Sequence, residues 1–62
     1  MNVQRILGIL PKNKKIYVFK EYSQELLFEG VAYMLDSKYI LSLLVTDVWA
    51  TPFDVYISVV EV

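Results

Sequence analysis

Neither cysteine nor histidine occurs anywhere in the 62 residues. A chain this short buries only about 60% of the surface its unfolded form exposes. Domains of this size are usually reinforced by a disulfide, a structural metal or a partner chain. Without Cys no disulfide can form, and without Cys or His a structural zinc site of the usual kind has no ligands. The chain must rely on a densely packed core, on self-association or on a bound partner. Its length allows one domain, residues 1–62, and no more.

Composition points toward association. Hydrophobic residues make up 56% of the chain without counting Gly, against about 45–50% with Gly included in ordinary globular domains. So small a fold has little interior for the surplus, and part of it should stand on the surface as an interaction patch. A homodimer or higher homo-oligomer, or a complex with another protein, is expected. The apolar runs fall far short of the roughly 20 residues that span a bilayer. The N-terminus lacks the basic start and apolar run of a signal peptide. No membrane association is expected, and the lack of Cys fits a reducing, cytoplasmic setting.

Hydrophobic spacing gives the element order. Val3, Ile6, Leu7 and Leu10 fall on one helical face, which predicts a helix over Asn2–Leu10 with Asn2 as N-cap and Pro11 as its end. Ile16-Tyr17-Val18-Phe19 has the composition of a strand, with apolar residues on both pleat faces. Leu26 to Gly30 reads as its hairpin partner, with the turn near Tyr22–Gln24 and Gly30 closing the strand. A short helical turn then places Val31, Met34 and Leu35 on one face, with Asp36-Ser37 as its exit. Lys38–Ser42 reads equally as more helix or as the start of a strand. Leu43–Ala50 and Val55–Val62 form a second hairpin across the loop marked by Pro52. The sum is an α+β domain of order α-β-β-α-β-β. Its four-stranded, mostly antiparallel sheet should carry helices on one face and aromatic residues on the other, open face.

Nothing in the sequence assembles a catalytic site. There is no Cys to serve as nucleophile and no His to serve as its base, and Ser23, Ser37, Ser42 and Ser58 have no evident activating partner. The two glycines, Gly8 and Gly30, cannot build a phosphate-cradling loop. Glu25 and Glu29, read as residues on one face of a strand, would stand about 13 Å apart, too far for a carboxylate dyad. The expectation is a protein that is no enzyme and carries no cofactor and no metal.

Two groups of side chains remain as recognition candidates. Tyr17, Phe19, Trp49 and Phe53 lie on the second face of a strand or beside a loop, where Tyr and Trp serve as interface anchors. Lys12, Lys14, Lys15 and Lys20, interleaved with Tyr17 and Phe19, form a basic stretch that could receive an anionic ligand such as a nucleotide. Charge is split along the chain: residues 1–20 carry +5 and no acid, whereas residues 21–62 set Lys38 against seven acids, a net of −6. The overall charge of −1 argues against a dedicated nucleic-acid binder.

The run Ile6-Leu7 to Leu10-Pro11, then Ile16-Tyr17-Val18-Phe19, then Glu25-Leu26-Leu27-Phe28-Glu29-Gly30, and the closing Asp54-Val55-Tyr56-Ile57-Ser58-Val59 resemble small accessory proteins of phages and prophages of Gram-positive bacteria. The resemblance covers most of the chain and rests on hydrophobic patterning. It implies a cytoplasmic protein of the bacterial host cell, and proteins of this kind include inhibitors of host defence. It assigns a role to no individual residue. Two functions are therefore expected: a self-associating interaction module that occupies a host protein, or a protein that sequesters a small anionic ligand through Lys12, Lys14, Lys15 and Tyr17.

Overall fold

The two segments richest in β-branched residues occupy the middle of the sheet. In the computed structural model, which describes residues 1–61, they are β1 (Lys15–Lys20) and β4 (Asp54–Val60), paired in parallel. β2 (Leu26–Val31) lies antiparallel outside β1, and β3 (Leu44–Ala50) lies antiparallel outside β4. The order across the sheet is β2-β1-β4-β3. Two antiparallel hairpins thus stand side by side, joined through their first and last strands.

One face of the sheet is dry. Ile16 and Val18 of β1 and Val55, Ile57 and Val59 of β4 alternate onto it and are buried. They meet Val3, Ile6, Ala32, Leu35 and Leu43 from the segments that cross over that face. No side chain on the described residues leaves a buried polar atom without a partner. The core cluster itself consists of apolar residues.

The helical layer is shorter than the spacing predicts. Helix α1 covers Val3–Leu7, with the Asn2 side chain accepting the Arg5 N–H at 3.0 Å as N-cap. The sequence reading carried this helix to Leu10, but it is capped at Gly8. Ile9 and Leu10 donate to carbonyls three residues back, at 3.1 and 3.4 Å. Such a turn is tighter than an α-helix, and Pro11 has no N–H with which to continue it.

The middle of the chain also differs. Ala32–Met34 is a single 3₁₀ turn, and a separate α-helical turn, α2 (Lys38–Leu41), follows. The Ser37 hydroxyl caps α2 by accepting the Ile40 N–H at 3.3 Å. This settles Lys38–Ser42 as helical. A 3₁₀ turn repeats every three residues, so Ala32 and Leu35 share the buried face while Met34 is exposed. The expected trio of Val31, Met34 and Leu35 is thus replaced by Ala32 and Leu35.

Two irregularities explain why the outer strands alternate poorly. The β1–β2 register shifts between Val18 and Phe19, so that Val18 faces Phe28 but Phe19 faces Leu26. Leu27 is the extra residue, and both Leu27 and Phe28 pack on the core. The β3–β4 register shifts between Val45 and Asp47. Thr46 is extra there, and its hydroxyl contacts the Ser58 carbonyl at 3.2 Å and the Ser58 hydroxyl at 3.1 Å. Val45 and Val48, three apart, consequently face Val59 and Ile57 on the same side. The reading of β4 as far as Val62 ends at Val60, and Val62 lies outside the described residues.

Candidate functional site

The face of the sheet turned away from the helices carries a row of rings. Alternation puts Tyr17 and Phe19 of β1, Tyr56 of β4 and Trp49 of β3 on this side. In the register, Tyr17 stands opposite Tyr56, and Tyr56 opposite Trp49. Tyr17 stacks on Tyr56 with centroids 4.8 Å apart and planes 8° from parallel. Tyr56 stacks on Trp49 at 5.7 Å and 11°. Phe19 reaches past small Ser58 to meet Trp49 edge-on at 5.5 Å and 74°. Ser58, 3% exposed, lies beneath these rings. Such ring pairs contribute about 0.5–1.5 kcal/mol each beyond the area they bury.

Beside the row is a hollow of about 310 Å³ lined by Tyr17, Phe19, Gln24, Leu26, Trp49 and Tyr56. Leu26 is 50% and Trp49 45% exposed, so the hollow opens to solvent. Three of the four predicted interface aromatics meet here. Phe53 does not: it sits in the β3–β4 turn, 80% exposed, and stacks on none of the others. Tyr56 and Leu26 were missed. Tyr56 is the link of the row, and its role depends on the β1–β4 register, which no local signal encodes. Leu26 reaches the open face through the register shift. Other exposed apolar side chains, among them Ile9, Tyr22, Tyr33 and Met34, lie outside this hollow.

The rim of this face is acidic. By alternation Lys15, Glu29, Asp47 and Asp54 belong to the same side as the rings. Lys15 Nζ lies 5.2 Å from the Tyr17 ring centroid and 3.8 Å from the Glu29 carboxylate. The Tyr17 side chain, followed by Glu29 and Asp54, holds the Lys15 ammonium above its ordinary pKa. Asp47 accepts its neighbour's N–H, from Val48, at 2.9 Å.

The predicted lysine group is divided. Lys15 and Lys20 stand at opposite ends of β1, about 17 Å apart along the strand. Lys20 is engaged by Glu61 at 2.9 Å and approached by Glu25 at 4.0 Å. Lys12 and Lys14 lie in the connection before β1, where their carbonyls accept the Tyr33 and Ala32 N–H groups. Glu25, read as a strand residue, lies in the turn before β2 beside Lys20. Among the described residues no three Asp or Glu side chains are grouped as metal ligands, and no helix is long and apolar enough to cross a membrane.

A second polar cluster ties the end of β4 to α2. The Tyr39 hydroxyl donates to Glu61 at 2.6 Å, and Lys20 reaches the same carboxylate. Tyr39 first and Lys20 second hold the Glu61 carboxyl below its ordinary pKa, while the same contact pushes the Tyr39 hydroxyl up. A carboxylate whose pKa is lowered by folding adds stability above its unfolded pKa, and that stability is lost as pH falls through the folded value. The side chain is half exposed, so water screens the contact and the contribution is small. Tyr39→Phe should return Glu61 toward an ordinary carboxylate titration, measured by carbon-detected NMR of the side-chain carboxyl. An unchanged midpoint would show that the contact is not held in solution.

Comparison with protein-family models, with curated proteins and with solved structures gives no match for this chain, so what it does has to be read from its own residues.

Proposed function

We propose that this chain is a small, non-enzymatic protein-interaction module that engages its partner through the open, aromatic face of its sheet. The observation that carries this reading is the row Tyr17–Tyr56–Trp49 with Phe19 and Leu26 beside it, on the sheet face opposite the one that holds the core. Aromatic anchors around a central hollow are what protein interfaces concentrate their binding energy in. Acting on a host protein by occupying one of its surfaces, as an inhibitor of phage accessory type would, needs no more than such a face.

Size sets the scale of that interaction. The chain measures 27 × 22 × 17 Å between Cα extremes, so its broadest side is on the order of 600 Å². A matched partner would bring the buried total to roughly 1,200 Å², the lower end for stable specific complexes. Homodimerisation through this face is the weaker form of the reading. Two copies would bring like-charged rims together, each with one lysine against three carboxylates. Sequestering of an anion is the less favoured reading, because Lys15 and Lys20 stand at opposite ends of β1 and each is paired with an acid.

A photo-crosslinking residue placed at Leu26 tests the reading, with the same residue at Met34 as control. Both positions are exposed, at 50% and 61%, but only Leu26 lines the aromatic hollow. In cells producing the protein, a discrete adduct with one protein is expected from Leu26 and not from Met34. Equal adducts from both positions, or none from Leu26, would overturn it.

A further inference from the structure

The row of stacked rings has two ends, and they differ. At the β1 end, Tyr17 carries a cation of its own: Lys15 Nζ lies 5.2 Å from the ring centroid. At the other end stands Trp49, on β3, the edge strand of the sheet. One side of its indole is stacked on Tyr56 and Phe19 meets it edge-on. The side facing away from Tyr56 has no further strand beyond it. Trp is the ring that holds a cation best, and Arg the side chain that most often supplies it.

One carboxylate flanks this end. Asp47 precedes Trp49 by two residues on β3 and stands opposite Ser58. Asp54 precedes Tyr56 by two residues on β4. Asp47 lies about 7 Å along β3 from Trp49, whereas Asp54 lies one strand inward, opposite Lys15, so only Asp47 borders the outer side of the indole. Across the face as a whole, Glu29, Asp47 and Asp54 outnumber Lys15, which is already engaged by Glu29 at 3.8 Å.

Resting on the reading of this face as an interaction surface, we propose that its partner is a basic protein segment: an arginine stacked on the outer face of Trp49 beside Asp47, next to an aliphatic side chain seated in the hollow of about 310 Å³. Charge complementarity selects this occupant. A nucleic acid would bring phosphates onto a rim with a surplus of carboxylates, and a second copy offering the same face would double the surplus. A guanidinium satisfies ring and carboxylate together, because its plane stacks while its edge donates paired hydrogen bonds.

The sole tryptophan makes the test direct, since fluorescence reports Trp49 alone. The probes are nine-residue peptides with a central leucine flanked by two arginines, and the same peptide with citrulline or with glutamate in place of arginine. Citrulline keeps the planar shape and loses the charge. The arginine peptide is expected to shift Trp49 emission and to bind at least tenfold tighter than the citrulline peptide. The Asp47→Asn variant should lose that preference while keeping its thermal midpoint, since the amide side chain at position 47 retains an oxygen for the Val48 N–H. Equal binding of the arginine and citrulline peptides overturns the basic-partner proposal but leaves the apolar docking face standing. Tighter binding of an oligothymidylate overturns it in favour of nucleic acid. A light-scattering mass of two chains at the working concentration, lost in Trp49→Ser, overturns it in favour of a second copy. No change in emission with any peptide overturns both the proposal and the reading of the face.

Discussion

Ile57→Ala should remove a large share of the folding free energy at 25 °C. Ile57 is fully buried at the centre of β4, between Val18 of β1 and Val48 of β3. Truncating a buried isoleucine to alanine costs about 2–5 kcal/mol, since transfer energy is lost and the cavity collapses only in part. A 62-residue domain has on the order of 3–9 kcal/mol in total. No disulfide or metal stands in reserve, because the chain has no Cys and no His. Urea unfolding followed by circular dichroism measures the effect. Ile57→Val, expected to cost only about 0.5–1.5 kcal/mol, shows whether volume alone is responsible. A midpoint for Ile57→Ala within error of the parent would mean that the core is not closed around this strand.

Gly30→Ala should lower stability by about 1–3 kcal/mol, a drop in melting temperature on the order of 8–24 °C for so small a domain. Gly30 has a φ of 157°, a backbone conformation that side chains rarely adopt. A Cβ added there would also lie 3.3 Å from the Phe28 ring. The ring can rotate away, but the backbone cannot relax without disturbing the pairing of Gly30 with Ile16. The loss should therefore persist in a Phe28→Leu background, where the contact is reduced. Full recovery there would assign the effect to the ring and not to the backbone.

Much of the architecture was legible because the central strands are unambiguous. Ile16, Val18, Val55, Ile57 and Val59 alternate without interruption, and each is buried. Asn2 reads as a cap and is one. The misreadings follow from physics that acts beyond a short window. Each outer strand carries an extra residue that resets the alternation, at Leu27 and at Thr46. The middle turn is 3₁₀, so its apolar period is three and a reading at 3.6 selects Met34 in error. The site was half legible for the same reason. Tyr17, Phe19 and Trp49 could be named one at a time, but the row exists only because Tyr56 stands between them, and Tyr56 is placed by a pairing between opposite ends of the chain. Phe53 carries the same local signal and joins nothing. The lysines are close in sequence, yet strand geometry spreads Lys15 and Lys20 along β1, and their counterions come from Glu29 and Glu61, far off in the chain.

The parallel seam between β1 and β4 also sets how the molecule must assemble in time. Each hairpin joins strands separated by a short turn and can form on the microsecond scale. The seam is different, because it brings Lys15 against Asp54, 39 positions away. The loop-closure entropy of that encounter must be met before the buried valines and isoleucines repay it. Closing this seam is therefore the step expected to limit the folding rate. Until the seam closes, each half presents one bare central strand edge and half of an unassembled core. For this chain the transient hazard of sticking to its neighbours lies at β1 and β4, the strands most thoroughly hidden once folding is complete.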